Sequence, residues 1–369
     1  MNRLVIWGAG SSGREVLEVL KSSYDIVCFI DNNENIVGND IDGIEICSPK
    51  ILPSLVEKFN VDAIILGVSV MLYEDVYEQI MSILPEYDNV FYVPSYWKNI
   101  KFIKYSNKKG KSMYPFLGVE AVRACNLKCN ACMHFSNVVE ELGEYDLGQL
   151  NSDFKRLSEI FTDICCIRIA GGEPLLSNNL PKMIRIVKKY FPNCMVELIT
   201  NGLLLTKINK DLIEAICENE VRVNITLYEP TRKKYDEIEA FCRQNNIPYI
   251  AYGTNRDSFS RRLYLKENGK KTEIYNKCDM NRCNIMRYGR ITHCALEMHA
   301  DYINKRYGTQ LPENEGYNFY SDDASGEAIR QYIRGASKSC EYCGTPEVIP
   351  WSVKHKTATI KDWMVNRVE

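Results

Sequence analysis

Short apolar runs alternate along most of this chain with segments whose apolar positions recur every three or four residues. In the first 95 residues, Leu4–Trp7, Ile26–Ile30, Ile44–Cys47, Ala63–Val68 and Val90–Val93 read as buried strands. Between them, 14–20, 51–59 and 72–84 read as helices, the first with Val16, Leu17, Val19 and Leu20 on its apolar side. Strand and helix in strict alternation predict a parallel sheet with right-handed crossovers. The polar, basic stretch Asn99–Ser112 reads as a linker. From Tyr114 the alternation resumes. Strands are expected at Pro115–Val122, Cys165–Ala170, Met195–Ile199, Val221–Leu227 and Pro248–Tyr252. Helices are expected at 147–161, 180–191, 208–218 and 231–244, the first with Leu150, Phe154, Leu157 and Phe161 on one face. These are β/α units of the barrel type, too few for eight strands, with their candidate motifs at strand C-terminal ends. After about residue 275 the pattern changes to scattered cysteines and two helical stretches, 295–307 and 327–334. The expected fold class is α/β, divided as 1–98, a linker at 99–113, 114–275 and 276–369.

The first strand runs into Gly8-Ala9-Gly10-Ser11-Ser12-Gly13, and the second ends at Asp31. Glycines at such a turn let backbone approach a phosphate at a helix N-terminus, and a carboxylate after the second strand can hold a ribose hydroxyl. Gly8, Gly10, Gly13 and Asp31 are therefore candidate nucleotide ligands. The alternative is a tight turn in a Rossmann-like domain without a ligand.

A different chemistry is written at 123–135, where Cys125, Cys129 and Cys132 are spaced Cys-x3-Cys-x2-Cys on one loop. Three thiolates so placed suit a cubane iron–sulfur cluster with one iron lacking a protein ligand. A zinc site that recruits His134 is the alternative. Gly171-Gly172-Glu173-Pro174 lies at a strand end about 46 residues after Cys125. Its glycines allow close backbone approach to a ligand, and Glu173 can fix the turn. Thr200, Asn201, Asn224 and Thr226 follow at later strand ends, where they can meet a ligand or cap the next element. In the last quarter, Cys278, Cys283 and Cys294 precede a Cys-x-x-Cys at Cys340 and Cys343. Four of these suit a second cluster, or equally zinc. Cys28, Cys165, Cys166, Cys194, Cys217 and Cys242 sit in apolar patterns and read as small buried hydrophobes; Cys47 has no assignment.

Composition narrows the field. The chain has 369 residues, 45% hydrophobic, with net charge −2 and a pI near 6.2. Neither a general nucleic-acid binder nor a membrane-surface binder is implied, and no apolar run approaches the ~20 residues that span a bilayer. Fifteen cysteines without an export signal point to metal or cluster binding rather than disulfides. The expected location is the cytoplasm.

The cysteine loop resembles the signature of radical S-adenosylmethionine (SAM) enzymes. That resemblance implies a partial (β/α)6 barrel, a four-iron cluster on Cys125, Cys129 and Cys132, and SAM chelated to the open iron. Cleavage of SAM to a 5′-deoxyadenosyl radical would abstract hydrogen from substrate, with flavodoxin or ferredoxin as reductant. It also implies that Gly171–Pro174 contacts the SAM amino group, and that Thr200, Asn201, Asn224 and Thr226 meet its ribose and carboxylate. The family usually has an aromatic residue just before the third cysteine. Ala131 stands there, which leaves Phe135 as the candidate for the adenine. The string Cys-Asn-Leu-x-Cys-x-x-Cys-x-His-Phe-Ser is similar to a subgroup associated with bacterial surface-polysaccharide loci. The C-terminal cysteines resemble the twitch domain, the short form of the SPASM extension. They imply a second four-iron cluster on Cys278, Cys294, Cys340 and Cys343, with Cys283 spare. The first 95 residues resemble the nucleotide-sugar-binding domain of bacterial sugar acyltransferases.

The resulting expectation is an oxygen-sensitive enzyme that oxidises, or alternatively epimerises, a sugar or sugar-nucleotide in surface-polysaccharide biosynthesis. Cys283 is the candidate hydrogen donor for epimerisation. The rivals are a peptide- or protein-modifying maturase and a non-catalytic iron–sulfur or zinc sensor or electron carrier.

Overall fold

The structure, a computed structural model, describes residues 2–94, 100–108, 111–251, 256–313, 315–354 and 358–365. It separates into two compact units. One comprises Met1–Pro115 with Thr162–Cys166, the other Phe116–Phe161 with Ile167–Glu369.

In the first unit the elements run β1 (Arg3–Trp7), α1 (Ser11–Leu20), β2 (Asp25–Ile30), β3 (Asp40–Ile41), β4 (Ile44–Cys47), α2 (Leu52–Phe59), β5 (Ala63–Leu66), α3 (Tyr73–Ile83), β6 (Val90–Tyr92), β7 (Ile103–Lys104) and β8 (Asn107–Lys108). The sheet order is β3-β4-β2-β1-β5-β6-β7. β4, β2, β1, β5 and β6 are parallel, and β3 and β7 are antiparallel edges. Alternate residues of each strand enter opposite cores. Val5, Trp7, Ile64 and Leu66 join one, while Leu4, Ile6, Ala63 and Ile65 join the other. A sheet covered on both faces needs such unbroken apolar runs.

The expected linker needs correction. Its Ile103–Lys104 forms β7 on the sheet edge, Asn107–Lys108 pairs with the following strand, and Tyr105 is buried. Edge pairing is made by main chain, so a polar run with apolar residues only at alternate positions suffices. Asn99, Lys109 and Gly110, also assigned to that linker, lie outside the described residues.

The second sheet begins with β9 (Lys111–Val122), followed by α4 (Leu147–Ile160), β10 (Asp163–Gly171), α5 (Leu180–Tyr190), β11 (Met195–Thr200), α6 (Lys210–Glu218), β12 (Arg222–Ile225), α7 (Glu229–Arg232), α8 (Tyr235–Gln244) and β13 (Tyr249–Ala251). The helix expected over 231–244 is two pieces. Tyr252, placed at the end of the last strand, lies outside the described residues. Then come β14 (Ser258–Leu263), α9 (Lys271–Lys277), β15 (Ile285–Arg287), β16 (Arg290–Thr292), α10 (Ala295–Tyr307), β17 (Tyr317–Asn318), α11 (Gly326–Arg334) and β18 (Cys343–Pro350). The sheet order is β13-β12-β11-β10-β9-β15-β16-β17, so the hairpin β15–β16 extends the β/α sheet beyond β9. β15 pairs parallel with β9 through Ile285 and Met286. β14 leaves this sheet and pairs with β18 instead. Residues Cys278 onward are thus part of the same compact unit as the barrel strands.

A buried carboxylate fixes the hairpin. Asp153 of α4 accepts hydrogen bonds from Tyr145 Oη (2.5 Å), Gln149 Nε2 (2.7 Å), Tyr320 Oη (2.8 Å) and Gly289 N (3.0 Å). Gly289 has φ +76°, and a Cβ there would meet Tyr320 at 2.9 Å, so only glycine suits this tip. Among the described residues, no helix is long and apolar enough to cross a membrane.

Candidate active site

The loop after β9 carries Cys125, Cys129 and Cys132. Lys128 and Ala131 adopt positive φ (49° and 54°), which coils the chain tightly enough to turn all three cysteines inward. The C-terminal segment holds this loop, a role not visible in the sequence. Asn130 N donates to Ser352 O (2.8 Å) and Lys354 N to Lys128 O (2.9 Å). Trp363 Nε1 donates to Cys132 O (2.8 Å), and Trp351 Nε1 points at Cys129 Sγ at 3.2 Å. Leu127 N points at Cys125 Sγ at 3.4 Å. Burial above all pushes the Cys125 and Cys129 thiols up to about 12, with smaller contributions from Glu173 and Cys132 at the first and from Cys132 and Cys125 at the second. A thiol this desolvated is a poor thiolate alone and needs a bound cation to lose its proton.

The Gly-Gly-Glu-Pro turn lies directly on this loop. Gly172 N donates to Val122 O and Glu173 N to Ala124 O, both at 2.8 Å. A Cβ on Gly172 would lie 2.0 Å from Ala124 O, and one on Gly171 2.3 Å from Val122 O. Both glycines are therefore required by contact between backbones. Glu173 is buried. Its Oε1 accepts from Thr200 Oγ1 (2.7 Å) and Leu175 N (3.1 Å), and its Oε2 from Asn201 N (2.8 Å). Burial raises its carboxyl to about 7 against these three donors. Pro174 opens the one-turn 3-10 helix that follows.

Thr200 is thus a tie to Glu173 inside the protein. Asn201 Nδ2 donates to Asn126 Oδ1 (2.7 Å) and lies 3.9 Å from Cys125 Sγ. Asn224 and Thr226, by contrast, line a cavity of about 300 Å³, together with Gly171, Arg168, Glu120, His134 and Cys283. Phe116, Val119, Ile199 and Ile285 supply its apolar wall. Arg168 is anchored by Glu197 Oε2, which accepts from Nε (3.0 Å) and Nη2 (2.8 Å). Glu197 also pairs with Arg222. The expectation for Phe135 is corrected. Its ring is buried against Trp363, centroids 5.1 Å apart, because Phe135 itself turns back at φ 52°.

Three polar groups here were missed, Glu120, Arg287 and His299, and His134 was read only as an alternative zinc ligand; Glu120 and His134 line the cavity. Glu120 of β9 accepts from Arg287 Nη1 at 2.7 Å, and His299 Nε2 and His134 Nδ1 lie 2.8 and 4.0 Å from its other oxygen. Burial alone would raise the Glu120 carboxyl. The charges of His299 and Arg287 and the approach of His134 outweigh it and hold the group well below its usual range. The only sequence signal was scarcity, since the chain has four histidines.

Cys278, Cys294, Cys340 and Cys343 are linked by electrostatic interactions through Cys340 and Cys343. Charge on Cys343 and Cys340 acts on Cys294, and charge on Cys278 acts on Cys340 and Cys343. Burial is the largest cause of the raised thiols, with Cys343 at about 12. Cys283 lines the cavity wall, and charge on Cys278 acts on it as well.

Of the cysteines read as inert, Cys28, Cys165, Cys166, Cys194 and Cys242 are buried, and so is the unassigned Cys47. Cys217 is half-buried, its thiol donating to Asn245 O. In the first unit, Gly8 (φ +115°) and Gly13 pack so closely that a Cβ on Gly13 would lie 1.8 Å from Gly8 O. Gly10 faces open space at the start of α1. Asp31, expected to hold a ribose, instead spends both oxygens on the loop, accepting from Ala9 N (2.8 Å) and Asn33 N (2.9 Å).

The fold and site together define an α/β protein whose three-thiol loop is locked to a glycine turn beside an open-mouthed cavity. Residues 119–250 match the family model of the Radical SAM superfamily, and residues 1–91 match one described as C2185-like, N-terminal. The chain carries a radical SAM domain and is a homologue of radical SAM enzymes. It is 31% identical over 114 residues to the GTP 3',8-cyclase of Trichodesmium erythraeum, 30% of this chain and 34% of that protein. It is also 31% identical over 216 residues to the GTP 3',8-cyclase of Clostridium acetobutylicum, 58% of this chain and 61% of that one. The chain thus spans about a third of the first of these relatives and less than two thirds of the second. A crystal structure of BtrN in complex with AdoMet and 2-DOIA aligns over 64% of this chain and 94% of that one, at 17% identity and TM-score 0.39.

Proposed function

We propose that this protein is a radical SAM oxidoreductase that oxidises an alcohol of a sugar or sugar-nucleotide in surface-polysaccharide biosynthesis. The observation that carries the reading is the backbone lock between the cysteine loop and the Gly171–Pro174 turn beside the cavity. Cys125, Cys129 and Cys132 are the ligands for a four-iron cluster, and Cys278, Cys294, Cys340 and Cys343 those for an auxiliary one. Three protein thiolates would leave one iron of such a cluster for SAM to bind. Cluster and SAM together supply the one-electron chemistry that removes hydrogen from an unactivated carbon.

The chain's own residues do the rest. Glu173 holds the turn at a fixed distance from Cys125. Asn224 and Thr226 offer polar atoms to a ligand in the cavity, and Phe116, Val119, Ile199 and Ile285 keep water from it. The preference for a sugar-type substrate rests on the resemblance of the first 95 residues to sugar-acyltransferase domains. Gly10, at the open start of α1, is where a nucleotide-sugar phosphate would approach. Flavodoxin or ferredoxin is the proposed reductant.

A second reading, epimerisation, is favoured by one observation: Cys283 is on the cavity wall. Anaerobically reconstituted protein given SAM and dithionite should release 5′-deoxyadenosine. No release from protein with intact clusters would sink the enzyme reading.

A further inference from the structure

Glu120, His134 and His299 bring one donor atom each to within 4.8 Å of one another, from β9, the cysteine loop and α10. Glu120 Oε1, His134 Nδ1 and His299 Nε2 are buried atoms that attract one another but complete no well-formed hydrogen bond. The short 2.8 Å approach of His299 Nε2 to Glu120 Oε1 is included in that statement, because the two are poorly aligned. Glu120 is 1% and His299 2% exposed. Buried polar atoms without an aligned partner are destabilising unless something binds them.

We infer that these three residues form a mononuclear site for a first-row divalent cation, set in the wall of the barrel cavity. Two imidazoles and one carboxylate are a donor set for zinc, iron(II) or cobalt(II), and unsuited to calcium or magnesium. Bonds of ~2.1 Å place donor atoms roughly 3–3.4 Å apart. The 2.8 Å separation falls just under that range and the 4.0 Å between His134 Nδ1 and Glu120 Oε1 just over it, so small side-chain movements bring both in. Arg287 Nη1 on Glu120 Oε2, with Nη2 on Gly143 O (2.9 Å), supplies the outer contact that aims a ligating carboxylate. Three protein ligands leave a coordination position open. Glu120 and His134 both line the cavity, so the open position would take an oxygen of whatever the cavity holds, such as a hydroxyl or a carboxylate. The site uses no sulfur, although His134 belongs to the cysteine loop.

The test uses the full chain with its iron–sulfur content restored anaerobically, dialysed against zinc sulfate and desalted. The expected result is one zinc per chain in addition to iron. X-ray absorption at the zinc edge should show nitrogen and oxygen neighbours at ~2.0–2.1 Å and no sulfur. His299→Ala and His134→Gln should each lose that zinc with iron, sulfide and visible absorption unchanged. His134 is partly exposed, so its variant decides the matter if His299→Ala fails to fold. Retention of no zinc, a sulfur shell around it, or an undiminished zinc content in His134→Gln overturns the site. None of these outcomes depends on 5′-deoxyadenosine release, so the inference can fail while the proposed enzyme stands.

Discussion

Glu173→Gln separates a carboxylate that holds the turn from one that waits for a cation. Burial raises the wild-type carboxyl from 4.5 to about 7, although Thr200 Oγ1, Asn201 N and Leu175 N all donate to it. With the folded value raised, the folded protein keeps a proton that the unfolded chain releases. Stability from this group is therefore complete below pH ~4.5 and lost as pH rises towards 7. The difference between 4.5 and about 7 corresponds to roughly 3 kcal/mol. Glutamine cannot ionise and mimics the protonated acid, at a fixed cost of about 1–3 kcal/mol for one misfitted donor. Urea unfolding of both proteins at pH 5, 6, 7 and 8, with no SAM present, gives the difference directly, and other titrations cancel. The variant should gain on the wild type by roughly 3 kcal/mol between pH 5 and 8. A flat difference, or a wild type that gains as pH rises, would refute the reasoning. The second result would mean that the three donors keep Glu173 ionised and outweigh burial.

Four further outcomes are expected. Wild type reconstituted without air should carry about eight irons per chain, and a Cys125→Ala, Cys129→Ala, Cys132→Ala triple variant about four, with SAM cleavage abolished; iron analysis with a deoxyadenosine assay reads both. Asp153→Asn leaves one carbonyl for four donors, so the thermal midpoint of the barrel unit should fall by roughly 6–12 °C, from about 3 kcal/mol, and an unchanged midpoint would show the network to be idle. Gly10→Val should leave the first unit folded, since its Cβ meets nothing, yet abolish nucleotide-sugar binding by calorimetry. Cys283→Ala in heavy water should keep clusters and product with no deuterium on carbon if the reaction is oxidation; loss of product while SAM is still cleaved identifies epimerisation.

Much of the fold could be read from apolar spacing, because buried parallel strands announce themselves as unbroken runs such as Ala63–Leu66. β7, β14 and β18 could not. Their pairing is made by main-chain groups, and Val348 of β18 is largely exposed. The cysteine loop and the Gly171–Pro174 turn were legible because few residue types can do their work. Thr200 and Asp31 were legible as polar residues at strand ends, but their partners were not. A local carboxylate or backbone amide competes with any ligand, and only three-dimensional proximity decides the winner. Glu120, His299, Trp351 and Trp363 come from distant parts of the chain, and no local pattern links them.

Because the Gly171–Pro174 turn and the cysteine loop are joined by the main-chain hydrogen bonds Gly172 N–Val122 O and Glu173 N–Ala124 O, their spacing offers little handle to a designer. Adding a side chain at Gly171 or Gly172 collides with a carbonyl. Attempts to retune what this protein accepts will therefore have to work on Phe116, Arg168, Asn224 and Ile285, whose side chains can be exchanged without moving the loop. The reactive end of the cavity behaves as fixed tooling, and the opposite walls are the part that can be machined.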